Sequence, residues 1–117
     1  MNPLYNPSAL EKLQEFEHQG RPLVQVLIEE YVKSTPALVE RLKKAFQVRD
    51  LTEIQEAAHA LKGASLALGL SKVGELCQTL EENPEQDLFA AVEEHCKLAY
   101  KWLQEYAQLP SSQVVRS

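Results

Sequence analysis

The chain has 117 residues, of which 44% are hydrophobic and 25% are charged, and its formal net charge is −5. These values are ordinary for a single globular domain that is large enough to bury one core without cross-links. The negative charge argues against nucleic acid and anionic membrane surfaces as partners.

Membrane and export signals are missing from the sequence as well. No apolar run approaches the roughly 18 residues that a membrane span needs. The N-terminus lacks a basic region followed by an apolar one, which a secretory leader would have. Cys77 and Cys96 lie within helical patterns and without CxxC spacing, so we interpret both as reduced core residues. We therefore expect a soluble, cytoplasmic protein.

The first predicted element is a short helix after an irregular lead-in over residues 1–6. Asn6 can cap this helix with Pro7 at its first position, where a proline costs no hydrogen bond. Gly20 is expected to end the helix. Its apolar face consists of Leu10, Leu13 and Phe16.

The second predicted helix begins near Pro22 and reaches Phe46. Pro36 lies inside this apolar periodicity, and an internal proline removes one helical hydrogen bond. We therefore expect a bend near Ser34 and Thr35 rather than a boundary between two domains. The apolar positions of this helix include Leu23, Val26, Leu27, Tyr31, Leu38, Val39, Leu42 and Ala45.

Asp50 opens the third predicted helix, and Glu53 follows three residues later in the arrangement of a capping box. Gly69 is expected to end this helix as the residue just past its C-cap. At 100° per residue, one stripe of the helix is apolar or small and should be buried. That stripe consists of Leu51, Ile54, Ala57, Ala58, Leu61, Ser65 and Leu68.

Two further helices follow. Ser71 begins the first, and Asn83-Pro84 both ends it and starts the second, which runs from about Pro84 to Gln108. The tail 110–117 has no period and should be disordered. The apolar positions of the two helices are Val73, Leu76, Cys77 and Leu80, then Leu88, Phe89, Val92, Cys96, Ala99, Tyr100 and Leu103.

No strand pattern and no internal repeat are visible in the sequence. The elements predict an all-α domain over residues 7–109, an up-down-up-down four-helix bundle with a short extra N-terminal helix laid across it.

His59 lies on the outward face of the third helix, opposite Leu61 and Leu68. Lys62 and Gly63 follow it by three and four residues, so they are its neighbours on the helix surface. A glycine inside a helix costs roughly 1 kcal/mol relative to alanine, which calls for a reason. An open approach to the imidazole would be one. The rest of the outward face is formed by Thr52, Gln55, Glu56 and Leu66.

This segment resembles the signature of the histidine-containing phosphotransfer (HPt) domain family, since it reads His59-x-Leu61-Lys62-Gly63-Ala64-Ser65-x-x-Leu68-Gly69. The helical layout before and after it also fits, so the resemblance extends over nearly the whole chain. The family carries a phosphoryl group between the aspartates of receiver domains on a histidine of a four-helix bundle. The resemblance therefore implies that His59 is the phosphoryl acceptor.

The same resemblance implies roles for two further residues. In chemotaxis-type members a glutamate on the next helix bonds the histidine Nδ1, and Glu81, 22 residues after His59, stands at that offset. Glu82 competes with it as the inward-facing carboxylate. Lys62 would place an ammonium near the phosphoryl oxygens and offset their charge during transfer.

The outward face also suggests a receiver-docking surface. Leu66 would be its apolar anchor beside the transfer site, and Gln55, Glu56 and Lys62 would form its polar rim. A single exposed leucine needs no such role, however, and the short N-terminal helix could instead cover it.

Other chemistries have less support in the sequence. His18 and His95 are interpreted as surface or boundary residues. A zinc site drawn from His59, Cys77, His95 and Cys96 would need three converging helices without any local ligand spacing, so no metal site is predicted. The sequence has no Walker-A loop, no GxGxxG and no paired acidic cluster for Mg²⁺.

We therefore expect a monomeric phosphoryl carrier that is not an enzyme and needs no cofactor of its own, because the receiver supplies the aspartate and the metal. Its partners would be receiver domains of response regulators or hybrid histidine kinases. One alternative is a bundle that only binds a receiver or another signalling protein. Another is a fragment of a hybrid sensor kinase, although the initial Met1 and the loose ends favour a free-standing protein.

Overall fold

The structure, a computed structural model, describes residues 4–108. Within that range it contains five helices and one two-stranded hairpin. In chain order the elements are α1 (Pro7–Leu13), β1 (Glu17–His18), β2 (Arg21–Pro22), α2 (Leu23–Val48), α3 (Leu51–Ala67), α4 (Ser71–Glu82) and α5 (Phe89–Gln108). The predicted all-α bundle with a short N-terminal helix is confirmed. The predicted disorder of residues 110–117 concerns a segment outside the described residues.

The N-terminal segment is fixed to the bundle at the turn between α3 and α4. The Asn6 amide donates to the Gly69 carbonyl at 2.7 Å, and the Lys72 amide donates to the Leu4 carbonyl at 3.2 Å. The Tyr5 ring stacks on Trp102 of α5, with 4.3 Å between the ring centroids. Helix α1 therefore packs against the end of the bundle, and its Leu10 is fully buried.

The first helix ends at Leu13 and not at Gly20, as the sequence had suggested. Residues 17–22 instead form a small antiparallel hairpin. Gln19 has φ 54° and Gly20 has φ 81°, and two consecutive positive φ angles are typical of the tight turns that join paired strands. The expectation of no strand is wrong here, because two-residue strands whose side chains are all exposed leave no alternation to detect.

Helix α2 is continuous from Leu23 to Val48, and Pro36 lies inside it. The proline therefore separates neither two helices nor two domains. Thr35, directly before the proline, is buried, and its hydroxyl donates to the Tyr31 carbonyl one turn earlier, at 2.6 Å.

The first turn of α3 is capped as expected, but only in part. The Asp50 carboxylate accepts the Glu53 amide at 3.1 Å. The Glu53 carboxylate does not complete the capping box, because it accepts from Arg41 of α2 at 2.6 and 2.7 Å. Glu53 thus ties the start of α3 to its neighbouring helix.

Gly69 ends α3 in the left-handed conformation, with φ 75°. The Leu70 amide donates to the Ser65 carbonyl at 2.9 Å, and the Gly69 amide donates to the Leu66 carbonyl at 3.0 Å. These two bonds form the Schellman motif, which satisfies the last carbonyls of the helix. The prediction of Gly69 as the terminating residue is confirmed.

Helix α5 begins at Phe89, five residues later than predicted. Pro84 is buried and starts a turn rather than a helix, in which the Gln86 amide donates to the Asn83 carbonyl at 3.1 Å. A proline fits the first residues of either structure. Leu88 and Phe89 then pack partly against the core, and the helix continues from there.

The core lies between α2, α3, α4 and α5 and includes most of the predicted apolar positions. Leu51 is an exception: it belonged to the predicted buried stripe of α3 but is 45% exposed. It is the first residue of α3, where no neighbouring helix covers it completely. Cys77 and Cys96 are both buried and free, and burial raises the pKa of each thiol to about 12.

Candidate functional site

His59 lies in the middle of α3, on the side away from the core. Its side chain is 72% exposed, whereas Ala57, Ala58 and Leu61 around it are fully buried. The apolar stripe thus fixes the rotation of the helix and leaves the imidazole at the surface. The sequence predicted this outward orientation.

The Glu81 carboxylate of α4 faces the imidazole. Its Oε2 lies 3.1 Å from His59 Nδ1, and the Glu81 side chain is 23% exposed. Glu82, the competing carboxylate, is exposed and accepts from Gln78 at 3.0 Å. A carboxylate at Nδ1 accepts the ring proton there, and Nε2 is then the nitrogen with the available lone pair.

Lys62 contacts the same carboxylate. Its Nζ lies 2.6 Å from Glu81 Oε1 and donates to Gln78 Oε1 at 2.9 Å. The Lys62 side chain is only 19% exposed, although the helical wheel placed it on the outward face. The long side chain lies along the boundary between α3 and α4, where its apolar stem is covered.

These contacts hold Glu81 in its charged form. The hydrogen bond from Lys62 is the largest cause that lowers the pKa of the Glu81 carboxyl, and the bond to His59 lowers it further. A carboxyl with a lowered pKa is ionised at neutral pH. It is therefore paired with both neighbours at once, with the Lys62 ammonium at Oε1 and with the imidazole at Oε2.

Gln55 connects α3 to the backbone of α4 at the same position. Its Nε2 donates to the Glu81 carbonyl at 2.9 Å. Glu56, also expected at a docking rim, is exposed and points toward Arg41 of α2, 3.6 Å away. The structure therefore places Gln55 beside the imidazole site and Glu56 on the side of α2.

Gly63 leaves open space one turn after the histidine. A Cβ added there would have no heavy atom within 4 Å. Leu66, one turn further, is 50% exposed, so α1 does not cover it. Leu66 packs over Gly74 of α4, where an added Cβ would lie 2.8 Å from Leu66 Cγ and closer still to Cδ2.

The sequence did not identify Gln78 or Gly74 as neighbours of the site, and it did not show that Lys62 contacts Glu81 and Gln78. One signal was available, since Gln78 and Glu81 are three residues apart and so share a face of α4. Ser65 was expected to be buried, but its partner was not foreseen: Tyr31 Oη and Ser65 Oγ are 2.7 Å apart inside the bundle.

Neither a cluster of metal-ligating side chains nor a membrane-spanning helix is present within residues 4–108. No group of three or more His, Cys, Asp or Glu side chains there could hold a metal ion. No helix in that range is long and apolar enough to cross a membrane.

Comparison with known proteins gives two matches. The family model of the Hpt domain matches residues 26–111, a range that includes His59, Lys62 and Glu81. Multistep phosphorelay regulator 1 of the fission yeast Schizosaccharomyces pombe is 31% identical over 51 residues, which are 44% of this chain and 17% of the yeast protein. This chain thus spans a small part of that relative. No solved structure matches.

Proposed function

Because the chain belongs to the Hpt domain family, we propose that it carries a phosphoryl group on His59 between receiver-domain aspartates in a multistep phosphorelay. The yeast relative is a phosphorelay regulator by name, which supports the same pathway class. A bundle that only binds a receiver would not need an exposed histidine whose Nδ1 is hydrogen-bonded to a carboxylate.

One observation carries this proposal: an exposed imidazole is hydrogen-bonded at Nδ1 by a charged carboxylate, beside an open approach at Gly63. The Nδ1 to Oε2 distance is 3.1 Å, and the space above Gly63 is unobstructed. This is the arrangement that leaves Nε2 as an accessible nucleophile.

The chemical step follows from this geometry. The lone pair of His59 Nε2 attacks the phosphorus of an aspartyl phosphate on a receiver. The bond between phosphorus and the carboxylate oxygen breaks, and the aspartate leaves as a free carboxylate. The ring then carries the phosphoryl group on Nε2 and its proton on Nδ1, and Glu81 balances the positive charge of that ring. The reverse step passes the group to a second receiver.

The receiver would contribute the aspartate and the Mg²⁺ that receivers use, so this chain needs no cofactor for the proposed reaction. Receivers of response regulators and of hybrid histidine kinases are both suitable partners. A free-standing carrier and a domain of a longer sensor kinase would use the same site.

The proposal is tested by incubating the chain with a phosphorylated receiver and mapping any acid-labile phosphate. We expect the label on His59 and a matching loss from the receiver. A receiver that binds but transfers no phosphate would favour the adaptor alternative.

Gly63 should matter because it has no side chain. Gly63→Gln should slow transfer at least tenfold, since the longer side chain occupies the approach to the imidazole, a barrier increase of about 1.4 kcal/mol. Gly63→Ala is the matched control, because its Cβ meets open space. This substitution should raise the free energy of unfolding by up to about 1 kcal/mol. Normal transfer by Gly63→Gln would refute the open-approach argument.

Leu66 should contribute to receiver docking. Covering an exposed leucine is worth roughly 1.5 kcal/mol, so Leu66→Ala should weaken receiver affinity up to about tenfold. Its melting temperature should fall only slightly, because about half of the side chain is exposed and the rest packs over Gly74. Leu98→Ala, at another partly exposed leucine on α5, is the control and should bind as the parent does. A lower melting temperature with intact binding would assign Leu66 to the fold instead.

A further inference from the structure

A cleft of about 620 Å³ lies where the end of α2, the start of α3 and the segment between α4 and α5 come together. Two of the side chains that line it are Phe46 and Phe89, whose ring centroids are 5.9 Å apart. We propose that this cleft is a self-association surface, at which two copies of the chain pack around a two-fold axis. The sequence led us to expect a monomer, because it does not show the cleft.

Two apolar side chains at the cleft are largely uncovered. Leu51 lines the cleft and is 45% exposed. Val48, which lies between the lining residues Gln47 and Arg49, is 74% exposed and is the most exposed large hydrophobic residue within residues 4–108. Apolar residues beside an aromatic-lined cleft are typical of the centre of a protein–protein contact. A second protein chain seated here would therefore remove apolar surface from water.

The cleft has a basic wall and an acidic wall. Lys43 and Arg49 form the basic wall and come from α2 and its C-cap. Glu85 and Asp87 form the acidic wall and come from the segment between α4 and α5. All four side chains are exposed, and in the part of the chain that the structure describes none of them belongs to an ion pair. The two walls thus carry opposite charges that do not pair across the cleft.

A second copy of the chain supplies the charges that both walls lack. In a two-fold dimer the same patch meets itself, so that a residue of one wall contacts the opposite wall of the partner. The basic wall of one copy then faces the acidic wall of the other, and this contact occurs twice in each dimer. A partner with only acidic or only basic residues would be attracted to one wall and repelled by the other. The charge pattern therefore favours a second copy.

Arg49 occupies a backbone position that suits glycine. It is the C-cap of α2, with φ 56° and ψ 42°, and an L-residue is less stable than glycine in this left-handed conformation. Arg21 and Arg41, the other arginines in residues 4–108, each pair with a glutamate, whereas Arg49 pairs with none. The acidic wall of a second copy gives the Arg49 side chain the partner that its own chain does not provide.

Sedimentation equilibrium of the whole chain tests self-association. The cleft occupies one end of the bundle, so we expect a small, transient contact with a dissociation constant on the order of 100 µM. Between about 10 µM and about 1 mM the average mass should rise from that of one chain toward that of two. The rise should be smaller in about 0.5 M salt, which screens exposed charges. A chain that is still monomeric at about 1 mM would overturn the proposal.

An exchange of charges tests the pairing of the two walls. Arg49→Glu and Asp87→Arg should each weaken self-association at least about tenfold, because like charges then meet at both contacts. An equal mixture of the two variants should associate within about threefold of the parent, because each contact again joins opposite charges. Lys101→Glu, at an exposed residue of α5, is the control for the change in net charge and should associate as the parent does. A mixture that stays monomeric would overturn the proposed packing.

Arg49→Gly separates self-association from folding. It should weaken self-association about threefold, through the loss of one charge at each contact. Its melting temperature should equal or exceed that of the parent, because glycine suits the left-handed C-cap. Unchanged association of Arg49→Gly would overturn the pairing of the walls.

Self-association and phosphoryl transfer can each fail alone. The residues that line the cleft do not include His59, Lys62 or Glu81, so His59→Gln should self-associate as the parent does. A chain that takes no phosphate but forms the dimer would contradict the proposed function only. A chain that takes phosphate on His59 but stays monomeric would contradict the self-association surface only.

Discussion

His59→Gln should abolish phosphorylation of the chain and leave the bundle folded. An amide side chain has no nitrogen lone pair that can take a phosphoryl group, so the loss should be complete rather than partial. The substitution lies on an exposed side chain, where changes usually alter the free energy of unfolding by less than about 0.5 kcal/mol. Receiver-dependent labelling and a thermal melt of the same preparation check both halves of this result.

The other two histidines provide the controls. His18 is in the exposed hairpin and His95 is partly buried on α5. Among the hydrogen bonds and ion pairs of the described residues, His59 is the histidine whose ring contacts a carboxylate. His18→Gln and His95→Gln should take up phosphate at the rate of the parent. Acid-labile phosphate remaining on either histidine in the His59→Gln variant would overturn the assignment of His59.

Local chemistry made the third helix the most predictable part of the fold. Asp50 at its start and Gly69 at its end act on backbone groups a few residues away, so the sequence alone identifies them. The family resemblance drawn from the residues between them is confirmed by the match over residues 26–111. The outward orientation of His59 followed from the apolar period of the same helix.

The errors occurred where two structures suit the same residues. Pro84 can open a helix or a turn, and its burial, which the sequence does not show, accompanies the turn. The hairpin at residues 17–22 is too short to show an alternating pattern. The burial of Pro84 depends on contacts with other parts of the chain, whereas the hairpin is a local pairing whose side chains are all exposed.

The candidate site shows the same limit. A helical wheel places Lys62 beside His59 but carries no information about the neighbouring helix, so it could not show that the ammonium meets Glu81 and Gln78. The sequence also could not decide whether Glu81 or Glu82 faces His59. In the structure, the rotation of α4 places Glu81 at the imidazole and leaves Glu82 exposed. The roles of these residues in transfer stay predictions until the variants are measured.

Gly69 joins the motif to the fold, and its replacement should have the largest effect on stability. A Cβ at this position would overlap the Asn6 carbonyl oxygen and lie 3.1 Å from Ala9 Cβ. The residue also has φ 75°, which costs an L-residue roughly 1–2 kcal/mol. Displacing a backbone carbonyl adds about 1–3 kcal/mol, so Gly69→Ala should lower the free energy of unfolding by about 2–5 kcal/mol in total.

Gly20→Ala separates the two causes. Gly20 has φ 81° and nothing within 4 Å of an added Cβ, so its replacement should cost only the conformational part, about 1–2 kcal/mol. Urea unfolding of the two variants measures the difference, which we attribute to the close approach of Asn6 to the α3–α4 turn. The contact at Asn6 lies directly before α1, whose Leu10 is fully buried. Gly69→Ala should therefore also increase amide exchange in α1, and Gly20→Ala should not. Equal losses of stability in the two variants would show that the N-terminal segment moves aside without cost. The positive φ angle alone would then explain why position 69 needs a glycine.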